Sequence, residues 1–272
     1  MLLPIASLAV IILGMSIGAC GDTASPTASP TLNVTPAAAT AGTARASTTP
    51  TGSAPYVEGA VGYAISWPQC GALYPEEPFD FGIVGITDGR AFTKNPCFAD
   101  EYRWAEKGRY PSSIYINLNY RDWVNDFDGA ADCGNDPDCH AYRYGRAIVA
   151  DSYAFAHSVD AIAIVWWLDI QIVSDWSIDQ DLNARVIRGA VDFLRAKGIR
   201  VGISSTVFQW GEVAGKSSHN LSVWDASALD AAEAAEFCRT GKDLAGGWIE
   251  QIAYVEEYET VVACGPRTPA AQ

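Results

Sequence analysis

From about residue 57 onward the chain alternates short, almost wholly apolar runs with longer amphipathic stretches. The apolar runs are VGYAIS (61–66), FGIVGI (81–86), SIYINL (113–118), AIAIVWWLDI (161–170), IRVGIS (199–204) and WIEQIAYV (248–255). Each has strand length and is apolar on both faces, the pattern of a parallel sheet buried between helices. Residues 139–157 place Tyr142, Ile148, Val149, Tyr153 and Ala156 on one helical face. After Trp176, Ser177-Ile178-Asp179-Gln180 reads as a capping box. Leu182, Val186, Ala190 and Leu194 then recur every four residues, with Ile187 and Val191 alongside, and Gly198 ends the helix. ALDAAEAAEFCRTG (228–241) predicts a further helix that stops at Gly241. Alternating strands and helices over about 215 residues predict an α/β fold, a TIM-like (β/α) barrel whose regularity the pattern leaves open. An open doubly wound sheet is the rival. No Gly-x-Gly-x-x-Gly follows a strand, so no dinucleotide site is signalled and no cofactor is expected.

The first 56 residues follow different rules. Residues 1–19, MLLPIASLAVIILGMSIGA, are almost wholly apolar, and Ile17-Gly18-Ala19-Cys20 fits a lipobox with Cys20 as the lipidated residue. The stretch lacks the Lys or Arg that usually opens a secretory signal, which keeps an uncleaved membrane anchor and a soluble secreted form as alternatives. Residues 21–56 are Ala, Thr, Ser, Pro and Gly, with too little apolar bulk to offset chain entropy, and read as a disordered tether. The expected organisation is a lipoprotein signal (1–20), a tether (21–56) and a folded domain (57–272) held outside the cytoplasm through a lipid anchor, as a monomer.

The formal charge of −14 falls entirely on residues 57–272, because the first 56 contain one Arg and one Asp. So acidic a domain repels phosphate backbones, which argues against nucleic acid. Besides Cys20 there are six cysteines: Cys70, Cys97, Cys133, Cys139, Cys238 and Cys264. An even number in an exported domain reads as disulfides. Fifteen pairings are possible. Cys133–Cys139 closes a small loop, and Cys70–Cys97 and Cys238–Cys264 follow by proximity. Zinc is the competing idea, but there is no Cys-x-x-Cys, and His140, His157 and His219 lack ligand spacing, so no metal is expected.

In a (β/α) barrel the chemistry gathers where the strands end. WWLDIQ ends a buried strand with Trp167, Asp169 and Gln171 on one face. A charged Asp closing so apolar a run needs a partner or solvent, and capping the next turn is its bland role. GYAISWPQCG carries Ser66, Trp67 and Gln69 past the first strand, and Tyr115, Asn117 and Asn119 share a face of the third. Hydroxyls and amides of this kind bond sugar hydroxyls while Trp rings stack beneath, with Trp210 a further candidate. Ordinary turn or core packing is the alternative for each. Asp88, Asp175 and Glu250 are the further acids that a relocated site would draw on, and the sequence does not place them relative to the cleft.

Several stretches together resemble the family 25 glycoside hydrolases, lysozyme-like muramidases, in their actinobacterial branch: GYAISWPQC, FGIVGITDGRAFTKNPCF, WWLDIQ, RVGISSTVFQWGEVAG, WIEQIAYV and YETVVAC. The resemblance spans about residues 60–264 and rests on the order and spacing of these strings. It implies an irregular (β/α) barrel and a peptidoglycan ligand. The departures fall where the family's acids stand. Ala64 replaces an Asp of the first strand. Gln171 replaces the Glu that acts as general acid. Asp169 matches, and Glu259 is the approximate counterpart of an Asp near the C-terminus. The resemblance therefore implies Asp169, Gln171 and Glu259 at the catalytic positions, with Ser66, Trp67, Gln69, Asp88, Asn117, Trp167 and Trp210 contacting glycan. Binding with hydrolysis reduced or lost is the expectation. An active muramidase with relocated acids and a lipoprotein that binds a non-glycan partner are the alternatives.

Overall fold

The structure is a computed structural model and describes residues 54–121, 127–218, 220–240, 244 and 246–265. The lipobox, Cys20 and nearly all of the tether lie outside the described residues, as does His219. Among the described residues no helix is long and apolar enough to cross a membrane.

Eight strands close into one barrel in chain order: β1 (Val61–Ile65), β2 (Phe81–Gly85), β3 (Ser113–Asn117), β4 (Val165–Asp169), β5 (Arg200–Ser204), β6 (Ser222–Asp225), β7 (Trp248–Val255) and β8 (Glu259–Ala263). β1 to β7 pair in parallel, and β8 runs antiparallel to both β7 and β1. Five helices cover the outside: α1 (Phe98–Ala105), α2 (Pro137–Ser158), α3 (Gln180–Ala196), α4 (Val207–Ala214) and α5 (Ala231–Thr240). None separates β1 from β2, where only a short 3-10 turn (Trp67–Gln69) forms, or β7 from β8, which form a hairpin. The expected barrel is present, and it is irregular.

The strands are apolar throughout because the barrel has two cores. Trp166 and Leu168 of β4 face the helices, while Val165 and Trp167 face the barrel interior with Phe81, Ile83, Trp224 and Ala253. The interior is a packed core rather than a channel, as eight-stranded barrels dictate. Two glycines let α2 and α3 touch. A Cβ on Gly145 would fall 1.9 Å from the Val186 carbonyl oxygen, and one on Gly189 1.9 Å from that of Tyr142.

Three disulfides form, Cys70–Cys97, Cys133–Cys139 and Cys238–Cys264, each joining neighbours in the chain. Cys70–Cys97 ties the turn after β1 to the start of α1. Cys238–Cys264 ties α5 to the end of β8. Closing loops of 27 and 26 residues removes denatured-state entropy worth on the order of 3–4 kcal/mol each. One helix start differs from expectation. The N-cap of α3 is Asp179, whose carboxylate accepts from the backbone N–H groups of Asp181 (3.0 Å) and Leu182 (3.3 Å). Ser177, the expected cap, instead accepts from the Asp179 N–H and so positions the cap itself. A carboxylate also suits the positive end of the helix dipole better than a hydroxyl does.

Candidate functional site

The C-terminal ends of β1 to β7 and the N-terminal end of β8 share one rim. β4 delivers Asp169 there as its last residue, in register with Asn117 on β3 and Ser204 on β5. Asn117 Nδ2 donates to Asp169 Oδ2 at 2.6 Å, and Thr87 Oγ1 donates in turn to Asn117 Oδ1 at 2.6 Å. Gln171 Nε2 donates to the other carboxyl oxygen, Oδ1, at 3.2 Å, and Ser204 adds a further hydrogen bond. All of these partners are neutral. Asp169 is only 3% exposed, and burial pushes its carboxyl up to about 7 although the bonds from Gln171, Ser204 and Asn117 pull it down.

A second acid stands beside it. Glu259 opens β8, opposite Ala64 of β1 and Val255 of β7. Its carboxyl is also pushed up to about 7, first by burial and second by the charge of Asp169. Ala64 carries no more than a methyl, so the acid at this level of the barrel comes from the neighbouring strand. Asp169, Glu259, Tyr115, Ser204 and Ser205 surround a cavity of about 60 Å³, with Gln171, Gln209, Trp224 and Ala226 completing its wall. The Tyr115 hydroxyl bonds Ser66 and is raised well above the usual phenol range, chiefly by burial. With liquid water at about 30 Å³ per molecule, the cavity admits one small polar group of a ligand rather than a whole ring.

The Gln171 amide makes toward Asp169 the hydrogen bond that a protonated carboxyl would make. An amide offers that donor but has no transferable proton. Glu259 gives the mouth a second carboxyl, which feels the charge of Asp169.

No family model matches the chain, and no curated protein matches it. Among solved structures, the chain is similar to the modular Cpl-1 endolysin complexed with a peptidoglycan analogue. The identity is 11% over 79% of this chain and 57% of that one, with a TM-score of 0.47. This chain thus spans a little over half the length of that endolysin. It is similar to a family GH25 lysozyme from Aspergillus fumigatus at 12% identity, over 77% of this chain and 94% of that one, TM-score 0.44. It is also similar to a lysozyme from Streptomyces coelicolor at 12% identity, over 78% and 93%, TM-score 0.45. These likenesses are distant.

The remaining expected residues divide clearly. Ser66 is buried against Tyr115, and Gln69 is occupied in the turn, its Oε1 accepting from the Ser66 N–H at 2.9 Å. Trp67 stands 46% exposed at the rim, beside Gly89. Asp88, half-buried three residues past β2, is not part of the cavity wall. Trp167 is corrected to a core residue. It shares a face with Asp169, but that face is the barrel interior, where its ring is fully buried and packs edge-on to Trp224. A Cβ on Gly202 would fall 2.2 Å from it. Trp210 is likewise buried under α4, its indole N–H donating to the Ser217 carbonyl at 3.0 Å. Glu250 pairs with Arg200 far below the rim, and Asp175 pairs with Arg121 on the surface. Ser204, Ser205, Gln209 and Trp224 escaped the sequence reading. Ser204 ends β5 as Asp169 ends β4, so the strand-end rule applied to SSTVFQ would have found it. Among the described residues no group of three or more His, Cys, Asp or Glu side chains is placed to hold a metal ion.

Proposed function

We propose that the barrel binds cell-wall glycan at its mouth with the bond-breaking step lost, on an extracytoplasmic surface to which the N-terminal segment tethers it. One observation supports this reading: Gln171, which the family resemblance sets at the position of the general acid, donates its amide to Asp169. Glycosidic cleavage relies on one carboxyl that protonates the leaving oxygen and another that attacks or stabilises the sugar cation. General acid catalysis contributes roughly 10²–10⁴ in rate, and an amide supplies none of it. What the mouth keeps is recognition. Hydroxyls of Ser204, Ser205 and Tyr115 and the amides of Gln171 and Gln209 line the cavity, and the exposed Trp67 face at the rim suits a sugar ring.

The test is sedimentation of the purified full chain with insoluble peptidoglycan, followed by assay of reducing ends. The protein is expected in the pellet with no reducing sugar released, and Gln171→Glu is expected to release it measurably. A protein that stays wholly in the supernatant sinks the reading.

A second reading is a working hydrolase with Glu259 as the acid. It is favoured by the placement of Glu259 on the same cavity as Asp169, with a carboxyl that keeps much of its proton near neutrality. Reducing ends released by the unaltered protein and abolished by Glu259→Gln would establish it.

A further inference from the structure

The wall of the mouth cavity is rich in acceptors. Asp169 takes hydrogen bonds from Asn117, Gln171 and Ser204, which leaves room on its two oxygens for about one more. Among the described residues no hydrogen bond reaches the Glu259 carboxyl, although it faces the same cavity. The two serines beside them are already committed as donors. Ser205 Oγ donates to the Ile170 carbonyl at 2.9 Å, and Ser204 donates to Asp169, so each hydroxyl offers the cavity a lone pair. Gln209 Oε1 is taken by the Ile172 N–H at 3.0 Å, which leaves its amide nitrogen to meet a sugar hydroxyl.

No cation of the chain answers these acceptors. The cavity wall holds no Lys, Arg or His. Arg121, past β3, pairs with Asp175, and Lys94, past β2, pairs with Asp151 at 3.9 Å. Burial, and for Glu259 the charge of Asp169, holds both carboxyls at about 7, a state that an entering cation reverses. Glu101 is also buried without a cation, but it lines neither this cavity nor the one beside α4.

The size and donor count of the missing cation follow from the cavity. A calcium ion asks for six to eight oxygens, and among the described residues no group of three or more His, Cys, Asp or Glu is placed for a metal. A primary ammonium carries three donors and is about the size of a water molecule, so about 60 Å³ holds it with the carbon that bears it. An acetamido group in the same place would bring a carbonyl oxygen and a methyl against a wall of acceptors.

We infer that the mouth cavity binds the free primary ammonium of an amino sugar, which makes the ligand class a glycan with unacetylated amino groups. The inference rests on the proposed glycan site and names the group that enters it. Asp169 and Glu259 take two of the ammonium donors, and a serine hydroxyl takes the third.

The experiment titrates the full chain at neutral pH with a β-linked glucosamine tetramer, its fully N-acetylated counterpart, and trilysine. The glucosamine tetramer is expected to bind about ten- to hundredfold more tightly than the acetylated one, the range for a hydrogen bond to a charged group. Glu259→Gln should remove that preference by weakening the amine alone. The same change of charge at the exposed Glu256, Glu256→Gln, should leave the preference intact. Equal affinity for the two tetramers, or tighter binding of the acetylated one, overturns the inference and leaves the glycan site standing. Failure of both tetramers to bind takes the glycan site down with it. Trilysine bound as tightly as the glucosamine tetramer, or a preference that survives Glu259→Gln, reduces the effect to net charge and overturns the inference. If Glu259→Gln fails to fold, the comparison of the two tetramers on the parent decides.

Discussion

The barrel buries an acid near each of its two ends, and they are held in opposite ways. Near the base, β7 bulges at Glu250, where its pairing with β6 steps from Val223–Ile249 to Trp224–Gln251. Glu250 there meets Arg200 in an ion pair, and the Trp248 indole N–H donates to the same oxygen at 2.9 Å. Arg200 also donates to Ser222 Oγ at 3.2 Å. At the mouth, Asp169 has amides and hydroxyls but no cation, and a second acid beside a cavity. A buried acid matched by a fixed cation is finished chemistry that holds strands together. A buried acid left with neutral partners carries a free-energy cost that a ligand can relieve. The contrast separates these two acids more sharply than burial does, since each is only 3% exposed. Glu101 on α1, fully buried against the Asn95 amide, shows that neutral partners alone do not mark a site.

The largest effect should come from breaking the base. Arg200→Met strands the Glu250 carboxylate, and urea unfolding should show a loss on the order of 3–5 kcal/mol. Adding Glu250→Leu should recover most of it, while peptidoglycan binding by the double variant stays unchanged. A binding loss there would dissolve the distinction between the two ends.

The mouth predicts a pH effect of comparable size and definite sign. Asp169 and Glu259 hold their protons more tightly folded than unfolded, because both are raised to about 7. Their environment costs nothing below about pH 4, where both states are protonated, and the cost grows as pH rises through about 7. A rise of about three pKa units for Asp169 is worth on the order of 3–4 kcal/mol between those limits. Thermal melts should therefore show this share of stability greatest in acid and lost toward pH 8. Asp169→Asn should remove its share of the pH dependence, leave most of that of Glu259, and abolish glycan binding.

Smaller effects test the packing beneath the site and the rim above it. Gly202→Ala drives a methyl into the Trp167 ring and should cost about 1–3 kcal/mol of stability by overpacking. Trp67→Ala removes an exposed ring. It should leave the melt within about 0.5 kcal/mol of the parent and weaken glycan binding about three- to tenfold.

The parts of the fold legible in the sequence are those where one signal acts alone. β1 to β5 and β7 show as apolar runs because helices cover them on one side and the barrel core on the other. β6 was missed because Ser222-Val-Trp-Asp225 is four residues long and polar at both ends. Its polar ends serve the base and the rim: Ser222 accepts from Arg200, and Asp225 accepts from the Ser227 N–H. The antiparallel β8 follows β7 after a turn of three residues, so an alternating β/α pattern carries no trace of it. Strand alternation correctly placed Trp167 and Asp169 on one face. It could not say that a tryptophan two residues below the rim is already core. Glu259 entered only through an approximate resemblance, and its neighbourhood with Asp169 depends on barrel closure, which no local pattern encodes.

The three-residue hairpin between β7 and β8 has a further consequence for any ligand that reaches Asp169. The wall there is only a tight turn high, whereas the segments after β2, β3 and β4 run ten residues or more before the next helix of the barrel. If the mouth takes glycan as proposed, this low side is where a polymer would pass out in mid-chain, with no free end threaded in. The molecule would then grasp a strand of mesh wherever it meets one.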